Sequence, residues 1–321
     1  MVRNHPFWLQ FPSCLHHMRH VLLQDVIFAK SEGTVRSYLY KCRQFLTWVK
    51  SQGLPASLPF SVEVISVYLH QSKLHVTSDS PLITSVAALK WLHSLVNPQS
   101  NPLDSPMVQN ILISCRRQTH RPPTHKQPIS LSQVRDITTL MTGPDSSLAD
   151  IRTACYVSLK YALLFRHTEM AELKASHFTP LPDKSGFSIF VPKSKTDIFR
   201  DGSTVILADS TGDFSPVSIL LKFLSMSGIS IGQDLFLFTP ITFHQRTQSY
   251  SRADNRPLSY SRCRELFHDA LRRIGEDPHS FGLHSLRAGG ASHLANKHIP
   301  EEQIMHHVRW KTTIAKNRYI Q

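Results

Sequence analysis

The chain has 321 residues, too many for one ordinary domain and suited to two of ~100–200 residues each. Hydrophobic residues make up 41%, enough to bury a core in both, and no apolar run reaches the ~18 residues of a membrane span. Lys plus Arg number 36 against 23 Asp plus Glu, a formal charge of +13 that calls for a polyanionic partner, nucleic acid ahead of an anionic membrane surface. Residues 1–128 hold 13 basic and 5 acidic side chains, and residues 129–321 hold 23 and 18, so the shorter part is the more basic. That asymmetry suits an N-terminal domain that grips phosphates; solubility is the plainer explanation. The five cysteines, Cys14, Cys42, Cys115, Cys155 and Cys263, are odd in number and form no CxxC. They argue against a disulfide framework or a cysteine zinc site and for a reducing compartment. Residues 1–20 alternate apolar residues with histidines and lack the apolar stretch of a signal peptide. His16, His17 and His20, with Cys14 nearby, are expected to be surface residues, and no metal is expected.

In chain order, residues 34–50 place Val35, Leu39, Cys42, Phe45, Leu46 and Val49 on one face, which predicts a helix ended by Gly53 and Pro55. Ser61 is the expected N-cap of a helix carrying Val64, Ile65, Tyr68 and Leu69. Ser80-Pro81 and Ser105-Pro106 repeat a cap-then-proline start before Val86–Leu95 and Met107–Cys115. Residues 116–128 then combine Arg116, Arg117, Arg121 and Lys126 with Pro122, Pro123 and Pro128 and show no apolar period, so they read as extended and basic. The expected division is a helical domain over 1–120, a basic linker over 121–128 and a second domain over 129–321. There, Ser132 is the expected cap of a helix through Leu140, and a longer helix spans about 149–164. The β-type runs Phe187–Val191 and Thr204–Leu207 flank a turn-rich stretch and predict a hairpin or three-stranded sheet. Helices follow at about 217–226, 261–274, 284–296, 301–307 and 314–319. The class is mainly α with a small antiparallel sheet.

Three His-x-x-Arg pairs occur, at His16–Arg19, His284–Arg287 and His306–Arg309, so the pair alone selects nothing. Only the pair at 284 has matching company. Small residues follow it in Arg287-Ala-Gly-Gly-Ala-Ser292, with Trp310 and then Tyr319 beyond. Upstream, Arg166 closes the apolar run Tyr161–Phe165 with Glu169 three residues on, and Lys195 lies between the two β runs. Cutting a phosphodiester without a metal needs a replacement for each thing a metal does. Arg166 and Arg287 can clamp the non-bridging oxygens, and Lys195 can protonate a leaving oxygen. His284 can exchange protons near neutral pH, Trp310 can buttress the site and donate one N–H, and Tyr319 offers a phenolic nucleophile.

The order Arg…Lys…His-x-x-Arg…Trp…Tyr resembles the tyrosine recombinase (phage integrase) family along the whole chain. The phrases Ser194-Lys195-Thr196-Asp197 and Arg309-Trp310-Lys311 resemble recombinases of eukaryotic mobile elements. The resemblance implies a helical, SAM-like core-binding domain before an α-rich catalytic domain. It implies a site-specific recombinase or integrase working through a 3′-phosphotyrosine, with no cofactor. Double-stranded DNA is the implied partner, with a homotetramer on paired sites, no membrane and a nuclear location. Arg166 with Glu169 matches the first arginine box, Lys195 the hairpin lysine, His284 and Arg287 the second box, Trp310 the His/Trp position and Tyr319 the nucleophile. Lys193 competes with Lys195 for the hairpin role. Two positions depart from the pattern: Leu164 and Val308 stand where the family often has glycine. The sequence ends two residues after Tyr319, where many relatives continue into a helix that docks on the next subunit.

Taken singly, these residues have plainer readings: Arg166 as a helix-end charge, Lys193 and Lys195 as a solvated turn, and Trp310 as a core aromatic. Lys41, Arg43, Lys90, Arg116, Arg117 and Arg121 are candidate phosphate contacts, and a solvated helix face explains any one of them as well. The rival functions are a catalytically silent DNA-binding descendant, a type IB topoisomerase and a helical scaffold. Covalent capture on nicked DNA, relaxation without paired sites and a salt-independent affinity would separate them.

Overall fold

The computed structural model describes residues 2–96, 100–122, 125–195, 197, 199–209 and 214–310. The chain divides into two compact units, 1–123 and 124–321. The helix expected at 314–319 and the nucleophile position Tyr319 lie outside the described residues.

The first unit is helical: α1 (Pro6–Leu9), α2 (Met18–Phe28), α3 (Glu32–Ser51), α4 (Val62–Lys73), α5 (Ser80–Ser94) and α6 (Pro106–Thr119). Its core is aromatic. Phe45 of α3 meets Phe60 and Tyr68 edge-on at 4.8 and 5.0 Å, and Leu69, Leu89 and Val108 close around them. Ser61 and Ser105 cap α4 and α6. At α5 the flanking residue is Asp79, and Ser80 is already helical. Arg116 and Arg117 belong to α6 and not to an extended linker: the period of Val108 and Cys115 carries on to Thr119, whose hydroxyl donates to the Cys115 carbonyl. Short helices before α3 were not visible in the histidine-rich start of the chain.

The second unit is built around α8 (Leu148–Ala162), which follows α7 (Leu131–Met141). Every residue from Ile151 to Tyr161 is buried, so α8 is covered on all sides. Ser147 caps it reciprocally with Asp150. The cap of α7 is Ser130 rather than Ser132, because Gln133 stands three residues on and its side chain returns to the Ser130 amide at 2.9 Å. Next come α9 (His167–Ala171), β1 (Phe178–Pro180), β2 (Gly186–Val191), β3 (Ser203–Ala208) and α10 (Pro216–Ser227). The strands form an antiparallel sheet in the order β1-β2-β3, with Ile189 opposite Val205 and Phe187 opposite Leu207. Those four side chains are buried, while Thr204 and Ile206 face out. A second hairpin, β4 (Ile241–His244) and β5 (Ser249–Arg252), precedes α11 (Tyr260–Arg273), α12 (Leu283–Asn296) and α13 (Glu301–Val308). Residues 126–129, at the end of the expected linker and just beyond it, are already fixed to this unit: the Gln127 and Ile129 amides donate to Ser280 and Ser285 carbonyls at 2.9 and 3.2 Å.

The small residues after Arg287 let α12 lie directly on its neighbours. A Cβ on Gly289 would stand 1.9 Å from the Ile129 carbonyl oxygen, and one on Gly290 would stand 2.3 Å from that of Tyr161. Gly289→Ala therefore forces a backbone shift, at a cost of about 1–3 kcal/mol. Gly143→Ala, whose nearest neighbour is Ser146 Oγ at 3.8 Å, is expected to stay within about 0.5 kcal/mol of the parent. Chemical denaturation followed by far-ultraviolet circular dichroism checks the pair; equal midpoints would contradict the close approach.

Candidate active site

The site starts where α8 ends. Leu163 closes the helix on the Leu159 carbonyl at 2.8 Å, and Leu164 then takes a left-handed conformation, φ +54°. That turn reverses the chain and brings Arg166 to the N-cap of α9. Glu169, in the first turn of α9, reaches back. Its Oε2 accepts from the Arg166 backbone N–H at 2.8 Å, and its Oε1 accepts from Arg166 Nη1 at 2.9 Å.

Glu169 is a hub. Its side chain is 1% exposed, and Oε2 also accepts from Arg309 Nη2 at 2.8 Å and lies 3.8 Å from Arg287 Nη1. Burial raises its pKa, but Arg309, the Arg166 amide, Arg166 and Arg287 together hold it below the ordinary carboxylate range. Arg287 comes from α12 and is sealed from solvent. Its Nη1 donates to the Leu164 carbonyl and its Nη2 to the Val308 carbonyl, the latter at 3.2 Å. The Trp310 ring centre lies 5.8 Å from the Arg287 guanidinium carbon. Trp310 is itself buried among Leu164, Ala291, Ile304 and Val308. Arg309 ends α13 with φ +58°, and its guanidinium lies 4.7 Å from the Phe165 ring centre.

His284 stands at the second position of α12, exposed at the surface. Desolvation by its neighbours, then the charges of Lys160, Arg287, Arg166 and Lys195, push its imidazole below the ordinary histidine range. Lys195, on the loop between β2 and β3, lies within electrostatic reach of His284. Lys193, its rival, is paired with Glu172 at 3.3 Å. In that loop the Asp197 carboxylate accepts from the Asp201 and Gly202 amides at 3.1 and 2.9 Å. Gly202 has φ +75°, and a Cβ there would meet the Phe190 ring at 2.6 Å.

Arg166, Lys195, His284, Arg287 and Trp310 are thus gathered in one region of the second unit. Of the two arginines, Arg166 is partly open, with a side chain 19% exposed, and Arg287 is closed. The candidate phosphate contacts of the first unit divide differently. Arg116, Arg117 and His120 line one hollow at the end of α6, and Arg116, His120 and Arg121 line another with Thr77, Ser78 and Asp79. Lys90 is paired with Asp104. Lys41 and Arg43 lie on α3, the first half-buried and the second exposed.

Sequence reasoning missed two cations here, Arg309 and Lys160. Arg309 belongs to a third His-x-x-Arg pair that looked accidental. Lys160 is fully buried, its Nζ donating to the Phe165 carbonyl at 2.7 Å. Burial, reinforced by Arg287, pushes it down to about 7. No sequence signal marked it, since α8 also carries Asp150, Arg152, Thr153 and Ser158 and a lysine there reads as solvated. Sequence reasoning also passed over the face of α11, where Arg262, Arg264, His268 and Arg272 line a surface hollow.

No family model matches the chain. Over 296 residues, 91% of this chain and 82% of the relative, it is 25% identical to an integrase/recombinase XerD homolog of Selenomonas ruminantium. Its fold is similar to that of the XerH site-specific recombinase in a post-cleavage complex with palindromic difH substrate. The TM-score is 0.58 at 14% identity, covering 89% of this chain and 75% of that one. The Tn1549 transposon integrase in complex with transposon right-end DNA gives 0.56 at 11% identity, covering 88% of each. A lambda integrase dimer bound to a COC′ core site gives 0.51 at 16% identity, covering 91% and 89%.

Glu169→Gln is expected to destabilise the second unit by about 3–5 kcal/mol at neutral pH, since it strips the counter-charge from buried arginines. Because the folded pKa of Glu169 is lowered, the deficit is present in full above the ordinary carboxylate value. It shrinks as pH falls through that value toward the folded one. Denaturant melts of both chains across that range check it; a pH-independent gap would contradict the hub.

Proposed function

We propose that this chain, a tyrosine recombinase by fold and by sequence likeness along 91% of its length, cuts and rejoins double-stranded DNA through a 3′-phosphotyrosine. The observation that carries the reading is the single buried carboxylate of Glu169. It draws Arg166, Arg287 and Arg309 together, the first two within electrostatic reach of His284. One negative charge against so many positive ones leaves a site that needs an anion.

In the proposed reaction the Tyr319 phenolic oxygen attacks the scissile phosphorus and passes its proton to His284. The lowered pKa keeps that imidazole neutral, and so able to accept, at neutral pH. The bond from phosphorus to the 5′-oxygen breaks, the electron pair leaves with that oxygen, and Lys195 supplies its proton. Arg166 meets the non-bridging oxygens from the open side of the hub. Arg287 adds its charge from behind, in a water-excluded place where a charge acts most strongly. Trp310 packs the wall on which Arg287 rests. The phosphotyrosine retains the bond energy, so a free 5′-hydroxyl reverses the step without ATP.

Exchange of both strands between two duplexes uses four nucleophiles, which supports a homotetramer on paired sites. The first unit is proposed to grip the backbone through Arg116, Arg117 and Arg121. Nuclear residence rests on the phrasing around Lys195 and Trp310, and imaging of a tagged chain tests it.

A pool of nicked duplexes of randomised sequence, with protein–DNA adducts resolved under denaturing conditions, tests the chemistry. The parent chain is expected to form adducts and Tyr319→Phe none. Lys195→Ala is expected to slow cleavage by about 100- to 10,000-fold, as loss of a general acid does. A bridging 5′-sulfur, which leaves without a proton, should restore Lys195→Ala but not Arg166→Ala. Failure of that selective rescue would remove Lys195 from the role. Separately, replacing Arg116, Arg117 and Arg121 together is expected to flatten the log–log salt dependence of DNA affinity by about 3. Lys90→Ala, already paired, is expected to leave that slope nearly unchanged.

A further inference from the structure

Lys160 lies two residues before the end of α8, has no solvent-exposed surface, and has no part in the steps above. Its Nζ donates to the Phe165 carbonyl oxygen at 2.7 Å. That oxygen and the Arg166 amide nitrogen belong to the same peptide unit. The Arg166 N–H in turn donates to Glu169 Oε2 at 2.8 Å. One planar group is therefore held at both ends, its oxygen by a buried amine and its nitrogen by a buried carboxylate. The peptide before it is held too, since the Leu164 carbonyl accepts from Arg287. These two planes set the backbone angles of Phe165 and so place the Arg166 amide and Cα, from which its side chain leaves.

We propose that Lys160 is a positioning residue for Arg166, clamping the Phe165–Arg166 peptide so that the guanidinium faces the scissile phosphate. The proposal rests on the recombinase reading above. A plain structural role predicts a different chemistry at this position. The hydrogen bond of Lys160 goes to a neutral carbonyl, and Arg287 is a close like charge. Methionine fills the same length without burying an amine beside a guanidinium, but it leaves the buried Phe165 carbonyl without its donor. What lysine adds over methionine is that one bond to the peptide before Arg166.

The charged and titratable groups that face Lys160 are Arg166, His167 and Glu169 from α9, Cys263 from α11, and His284 and Arg287 from α12. Burial lowers Lys160 to about 7, so its ammonium gives way to a neutral amine as pH rises through that region. A neutral amine holds a carbonyl more weakly than an ammonium does. The clamp should loosen in mildly alkaline solution, and an arginine in its place should not.

Three measurements on the full chain test this: adduct formation on the nicked pool, affinity for the same pool by fluorescence anisotropy, and thermal melts, each from mildly acid to alkaline pH. For Lys160→Met the expected result is adduct formation slowed about 100-fold, the scale of a small misplacement of a catalytic group. Duplex affinity should be unchanged, the melting temperature should fall by no more than the loss of one buried hydrogen bond brings, and the alkaline fall in rate should be gone. Lys160→Arg should recover part of the rate and move that fall to higher pH. Should methionine not fold, Lys160→Gln serves in its place. Full activity of the folded variant sinks the positioning role. So does a joint fall of rate and melting temperature with the pH profile unaltered, which marks a structural post. A parent chain that binds the pool but forms no adduct overturns the recombinase reading and the role of Lys160 with it. An active parent beside an unimpaired variant overturns the role of Lys160 alone.

Discussion

The second unit depends on one ion cluster. Glu169 brings a single negative charge, removed from water, to Arg166, Arg287 and Arg309. These three cations come from the start of α9, the middle of α12 and the end of α13, so one carboxylate ties together three segments far apart in sequence. Burying charges in this way stabilises the fold little compared with apolar packing. Its merit is geometric: guanidinium groups that share a carboxylate have few other arrangements open to them.

The backbone around the cluster explains one of the departures from the family pattern. Leu164 occupies a left-handed conformation that glycine adopts freely and that costs a substituted residue about 1–2 kcal/mol. The leucine offsets that cost by burying its whole side chain, in contact with α12 and with Trp310. At the second departure the left-handed residue is Arg309 and not Val308. Val308 is buried, and its carbonyl holds Arg287. The side chain at 164 is compatible with the site because the neighbouring helix leaves space at Gly290, where a Cβ would stand 2.4 Å from Leu164 Cδ2.

Much of this was legible in the sequence, and the reasons differ by element. The helix periods of α3, α4 and α6 and the serine caps of α4 and α6 showed because each helix has one apolar face and the two caps put a side-chain oxygen at the start. The candidate set Arg166, Lys195, His284, Arg287 and Trp310 could be named because few residue types perform the chemistry proposed for it and their order is restrictive. The hairpin of β4 and β5 stayed hidden because nearly all its side chains are exposed and no alternation marks it. Lys160 stayed hidden for the opposite reason. A lysine in a helix is ordinarily a solvated residue, and only the packing around α8 reveals that no face of that helix meets water. The roles of Glu169 and Arg309 depended on contacts across 140 residues, which spacing along the chain does not encode.

On the proposed function, the surplus of positive charge around Glu169 bears on how DNA would be chosen. A site made of guanidinium, amine and imidazole groups answers to phosphate oxygens, which are alike at every step of a duplex. Such a pocket is blind to the letters of any base sequence. Discrimination must be finished before a phosphate enters, by surfaces that touch base edges or feel the bending of the helix. On the proposed function the pocket is in this sense a common tool, and the choice of target is left to the parts of the chain that carry it there.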